Sequence, residues 1–257
     1  MSGFILKLIA MSSMLIDHIA IGFVSDTQFL MRNIGRLAFV IYAFLIAEGF
    51  YHIKTDRQRV TRHLLKILLL AIVSEIPLNL FEYNYWTAYT GQNAIWTLLL
   101  GFCVLITYEY IKGRVQKKTV AYLMSAAIAT IVAIVAFRIK SEYGFAGVLL
   151  IAMFYLYLQK ADVLRIAQKV LSLLIIEGAY VLLYLWSCTR FCTWANILNM
   201  GKGLIMNIYG VTAAFLLLAF YNRKLGYHSK WFSWLYSIFY PLQFVVLLVA
   251  RYFIRGF

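Results

Sequence analysis

Apolar residues fill this chain in long blocks, and short polar segments separate the blocks at regular intervals. Nine stand out, at about 4–24, 34–53, 64–81, 94–111, 119–138, 144–159, 170–187, 204–221 and 231–250. At 1.5 Å per residue, roughly 20 helical residues cross a hydrocarbon core of about 30 Å. Inside that core each backbone polar group must find a partner within its own segment, which an α-helix provides. The pattern predicts an all-α, polytopic membrane protein with about nine transmembrane helices. It reads as a single integral-membrane domain over residues 1–257, without internal repeats or low-complexity segments.

The connecting segments alternate in charge. Lys54, Arg57, Arg59, Arg62 and Lys66 mark the second, Lys112, Arg114, Lys117 and Lys118 the fourth. Lys160, Arg165 and Lys169 mark the sixth, and Arg223, Lys224 and Lys230 the eighth. With Lys7, sixteen of the 24 basic residues fall on one side. The positive-inside rule places that side, and the N-terminus, in the cytoplasm, and the C-terminus outside. The first block lacks a basic head and a small-residue cleavage site, so it is expected to stay as a span.

Polar residues inside the blocks carry the candidate chemistry. A charge at membrane depth costs about 2.5–3.5 kcal/mol on insertion scales, so ionisable groups there usually serve a purpose. The first block holds an adjacent acid and imidazole, Asp17 and His18, on small and polar helical stripes with Ala10, Ser13 and Ala20. In the second block Arg36 is placed to stabilise Asp17 as the anion, and Glu48, nearer the cytoplasmic end, to form a structural ion pair with Lys7. The third carries SEIPLNL, with Glu75, a helix-bending Pro77 and Asn79. Gln92 and Asn93 open the fourth. By residue counting Asp17, His18, Arg36, Glu75, Asn79, Gln92 and Asn93 all belong to the outer half of the membrane. Asn196, Asn199 and Asn207 line the outer approach to the eighth block, where Gly201-Lys202-Gly203 is too short for a phosphate loop.

Composition narrows the class further. The chain is 63% hydrophobic and 13% charged, with a mean hydropathy of +0.80. A soluble domain of this length needs more polar surface. The net charge of +14 is spread over loops as a topology signal, which argues against nucleic acid as a partner and leaves anionic lipid as one. Three cysteines make no metal framework; a Cys188–Cys192 link is the one close pair.

LKLIAMSSMLIDHIA, GRLAFVIYAFLIAEGFYH, the basic loop with SEIPLNL, GQNAIWTLLLG and EYGFAGVLLI follow one another over residues 3–151. In this order they resemble the TraX family of membrane proteins, with a weaker echo at FYPLQF. The chain departs from the family pattern at Val40 (family proline), Ile53 (family threonine) and Gln243 (family histidine). The resemblance implies pilin-acetylase-like chemistry in the bacterial cytoplasmic membrane. An acyl group, an acetyl group in the first instance, would pass from cytosolic acyl-CoA to an envelope acceptor, a peptide amine or a glycan hydroxyl.

Such transfer needs a base for the attacking amine or hydroxyl. His18 is the natural one. Successive helical positions diverge by about 100°, so Asp17 acts through charge, and Glu75 or Asn79 would orient the imidazole. Gln92 and Asn93 are amides able to donate to an oxyanion. Arg57, Arg59 and Arg62 would hold the phosphates of acetyl-CoA, and no metal is expected. A proton-coupled permease would also bury Asp17, His18 and Glu75, and is the alternative.

Overall fold

The computed structural model describes residues 1–24, 28–86, 91–161, 163–189 and 208–255. These form nine helices and no strand. They are α1 (Gly3–Phe23), α2 (Gln28–Ile53), α3 (Arg57–Tyr83), α4 (Ala94–Arg114), α5 (Lys118–Arg138), α6 (Gly144–Leu158), α7 (Ile166–Thr189), α8 (Ile208–Ala219) and α9 (Lys230–Arg255). Seven are long and apolar enough to cross a membrane; α6 and α8 are shorter apolar helices. Each of the nine expected blocks is thus helical where described, but spanning length is reached in seven. Asn196, Asn199, Asn207, Gly201-Lys202-Gly203 and Cys192 lie outside the described residues.

Apolar side chains face outward in large numbers, as lipid solvation permits. Leu65, Leu69, Ile72, Val73 and Ile76 of α3 and Leu171, Leu174, Ile175 and Leu182 of α7 are all exposed. Such a surface on a water-soluble molecule would drive aggregation. Pro77 and Pro241 both lie inside continuous helices, α3 and α9.

The chain gathers into two compact units: residues 1–42, 72–88 and 191–257 form the first, and residues 43–71 and 89–190 the second. In the second, α4, α5 and α6 pack on one another and α7 packs on α6. Small residues make this close. Ala121, Ser125, Ala129, Ala133 and Ala136 form the buried stripe of α5, at the spacing that lets helix backbones approach in a membrane. Against it lie Val104 of α4 and Val148 of α6. Gly101 of α4 sits directly against Ile151, leaving no room for a Cβ. One end of this unit is tied by the segment before α4. Gln92 N–H donates to Lys140 O (3.0 Å), Glu142 N–H donates to Gln92 O (3.1 Å), and Thr97 Oγ1 donates to Ser141 Oγ (3.0 Å).

In the first unit α1 and α9 run side by side in the same direction. Phe4 meets Phe232 at 4.6 Å between ring centroids, Lys7 lies 4.9 Å over the Tyr236 ring, and His18 meets Phe244 at 4.4 Å. The chain start is fastened to the α8–α9 connection. The terminal ammonium donates to Phe220 O (2.9 Å), Asn222 N–H to Met1 O (3.0 Å) and Gly3 N–H to Lys224 O (2.8 Å).

Candidate functional site

Asp17 and His18 are both buried, each 6% exposed, on the packed face of α1. The small stripe expected from the sequence is the buried one, with Gly3, Leu6, Ala10, Ser13, Asp17 and Ala20. Beside Asp17 the second helix comes unusually close. A Cβ on Gly35 would strike the Asp17 side chain, whose Oδ1 lies 2.8 Å from that point. Glycine at this position is what lets α2 pass over the carboxylate.

Two arginines of α2 bear on Asp17. Arg32 Nε lies 3.6 Å from Asp17 Oδ1. Arg36, one turn on, also acts on the carboxylate through its charge. Glu82, at the end of α3, is within electrostatic reach of both Arg32 and Asp17. Counting residues from the membrane surface gave depth only and did not bring out Arg32, which shares a helical face with Arg36.

His18 is enclosed by α9. Phe244 and Tyr240 flank its ring, at 4.4 and 6.3 Å between centroids. Gln243, 3% exposed, lies alongside within reach of the imidazole, although neither its amide nitrogen nor its oxygen makes a hydrogen bond of proper geometry. His18 Nδ1 is likewise buried without a hydrogen-bond partner. Sequence reasoning looked to Glu75 or Asn79 to orient His18 and did not single out Gln243 of the FYPLQF segment, the polar neighbour found here. Asn79 is buried with an unpaired Oδ1, and half-buried Glu75 precedes it by one turn on α3. Both belong to the first unit with Asp17, His18 and Arg36.

Gln92 and Asn93 belong to the second unit, where both are engaged structurally. Asn93 is fully buried. Its Oδ1 accepts from Ile95 N–H (2.9 Å) as the N-cap of α4, and its Nδ2 donates to Ala71 O (2.8 Å). Gln92 contributes its backbone to the bridge with Ser141. Lys7 and Glu48, paired in the sequence reading, lie in the first and second unit respectively, Lys7 over Tyr236. Arg57, Arg59 and Arg62 are exposed on the first turns of α3, and Arg59 Nε pairs with Asp56 at 2.9 Å. Among the described residues no three His, Cys, Asp or Glu gather as metal ligands.

His18 is thus a buried imidazole with an unpaired Nδ1, walled by aromatic rings and next in the chain to a buried carboxylate that lies 3.6 Å from an arginine. The sequence model for the TraX protein family matches residues 2–251. The chain belongs to the TraX family. The match reaches well beyond the stretch of densest motifs and takes in α9, which supplies Tyr240, Gln243 and Phe244 to His18. No curated protein and no solved structure matches the chain. Two other residues escaped sequence reasoning: Arg251, whose Nη1 donates to Phe81 O (2.7 Å), and Glu109, whose carboxylate accepts from Tyr155 Oη (2.6 Å). An acid or a guanidinium late in an apolar block is the signal that marks both.

Proposed function

We propose that this TraX-family chain is a membrane acyltransferase, moving an acyl group, most simply acetyl, from cytosolic acyl-CoA to an amine or hydroxyl at the outer half of the bacterial cytoplasmic membrane. The observation that carries this reading is His18 Nδ1, buried and unpaired beside an arginine-held carboxylate. A buried nitrogen without a hydrogen bond loses about 1–3 kcal/mol, so its persistence calls for a use. An acceptor amine or hydroxyl offers a matching donor.

When bound, acyl-CoA supplies an activated thioester carbonyl. The part of this chain is to take the proton. His18 accepts it from the acceptor as the N–C or O–C bond forms, and returns it to the departing thiolate. Asp17 places a carboxylate next to His18 in the chain, and the charges of Arg32 and Arg36 oppose the cost of burying it. Gln243 limits rotation of the ring. Arg57 and Arg62 offer guanidinium groups to the phosphates of the donor.

The test is turnover of labelled acetyl-CoA by purified protein with envelope extracts, read by mass spectrometry of the products. His18→Gln keeps volume and a hydrogen-bonding amide but takes up no proton near neutral pH. We expect this variant to insert and purify like the parent and to transfer at least ~100-fold more slowly. A near-parental rate would remove His18 as the base and leave Glu75 as the next candidate. Ion or solute transport into proteoliposomes without any acyl donor would replace the reading with the permease.

A further inference from the structure

The second unit holds a cleft of about 410 Å³ where α4 turns into α5, with Tyr108, Lys112, Arg114, Gln116, Lys118 and Tyr122 on its walls. Its charge is one-sided. Glu109 is the nearby acid, and it is occupied by Tyr155 Oη at 2.6 Å, by Lys54 at 3.9 Å and by Lys112 at 3.8 Å. Among the described residues neither Arg114 nor Lys118 has a carboxylate partner; Arg114 instead rests over the Tyr110 ring, 5.4 Å from its centroid. The cleft also takes in the start of α5. That helix has no acid in its first turn, and Lys117 at its N-cap makes no side-chain capping bond, so its first N–H groups face outward with the positive end of the helix dipole.

Three cations, an uncapped helix start and two tyrosine rings 6.2 Å apart make a recognisable combination. We propose that this cleft binds the phosphoryl group of an anionic ligand, either a phospholipid headgroup or a soluble phosphate ester. Arginine presents a planar fork that matches two phosphate oxygens, lysine adds point charge, and helix N–H groups complete an anion site. The tyrosine rings supply apolar wall and hydroxyl donors for the part of the ligand next to the phosphate. Both helices are long enough to span the bilayer, so their shared turn lies at headgroup level, open to lipid and to the aqueous phase alike. The site is separate from His18 and does not depend on the acyltransferase reading.

The experiment uses the full chain in nanodiscs of phosphatidylcholine, with two probes. One is adenosine 3′,5′-bisphosphate, followed by calorimetry. The other is phosphatidylglycerol, mixed into the discs and read as retained lipid by native mass spectrometry. At least one probe should bind saturably, and Arg114→Gln combined with Lys118→Gln should weaken it at least ~10-fold, in line with loss of charge-assisted bonds. All the residues changed are exposed, so folding should survive, and a melting curve checks this. Gln116→Glu, which keeps every cation but adds a carboxylate, should weaken the same probe. Lys160→Gln with Lys224→Gln removes equal charge outside the cleft and should leave binding within ~2-fold, as expected for screened surface charge. Bisphosphate binding lost with the cleft variants assigns a soluble ester, and phosphatidylglycerol retention lost with them assigns a lipid. Binding of neither probe, or equal weakening in the outside control, overturns the proposal.

Discussion

His18 Nδ1, Asp17 Oδ1, Asn79 Oδ1 and both polar atoms of Gln243 are buried in the first unit without a hydrogen bond. Native interiors rarely tolerate several such groups together unless a ligand or a reaction uses them. Their individual roles separate by mutation. If Asp17 acts through charge, Asp17→Asn should lower the transfer rate less than His18→Gln does, and Arg32→Gln should resemble Asp17→Asn. A rate for Asp17→Asn as low as that of His18→Gln would instead require a direct acid–base role for the carboxylate. Gln243 invites a graded series measured against pH. Gln243→Leu should slow transfer while leaving the midpoint of its pH profile close to the parent, because a positioning amide carries no proton. Gln243→His should restore much of the rate and shift the profile, since it puts a second titratable group beside His18. Parental rates in Gln243→Leu would reduce this residue to packing.

At the scale of helices, two close approaches hold the architecture. Gly35 allows α2 to cross Asp17, and Gly35→Ala would press a methyl against that carboxylate. The expected cost is about 1–3 kcal/mol of overpacking, seen as a lower melting temperature together with a slower rate, because the Arg32–Asp17 pair moves with the helix. Asn93 is the contrasting case. It caps α4 and holds the Ala71 carbonyl, so Asn93→Ala should destabilise by about 1–3 kcal/mol through the lost cap and the orphaned oxygen. Its effect should appear in stability, with kcat of the folded fraction within ~3-fold of the parent, below the loss expected for a removed oxyanion donor. A fall of ~100-fold at unchanged stability would restore Asn93 to oxyanion chemistry.

For the whole molecule, the shared direction of α1 and α9 constrains topology. Two spans that run the same way are separated by an odd number of crossings. Among the described residues, α2, α3, α4, α5 and α7 make five candidates, so with crossings counted over these residues α6 and α8 either both cross or both do not. At 15 residues α6 is about 22 Å long, short for a full crossing without local thinning. Both solutions place the two chain ends on opposite faces. Reporter fusions should read cytoplasmic after Lys118 and external at the C-terminus. A fusion in the Lys160–Arg165 connection, compared with one at Lys140, decides whether α6 crosses. A cytoplasmic C-terminus would contradict the parallel arrangement as a membrane topology.

Much of this was legible in the chain itself. Apolar block length dictates helices in lipid, because no other local structure satisfies the backbone there. Loop charge suggests sidedness, and the expense of burying Asp17 and His18 marks them as a candidate site from the sequence alone. Spacing along one helix also identified the small face of α1 that is buried. What pairs with what was decided only by tertiary structure. Arg32 and Arg36 lie on one face of one helix, and only the packing of α2 against α1 brings Arg32 to 3.6 Å from Asp17. Gln243 lies 225 residues from His18 in the chain, and nothing local announces that α9 packs parallel to α1. Asn93 reads as a free amide in sequence, yet the geometry of α4 turns it into a cap. Helix formation depends on nearby residues and solvent, whereas side-chain partnership depends on how separate helices turn and approach.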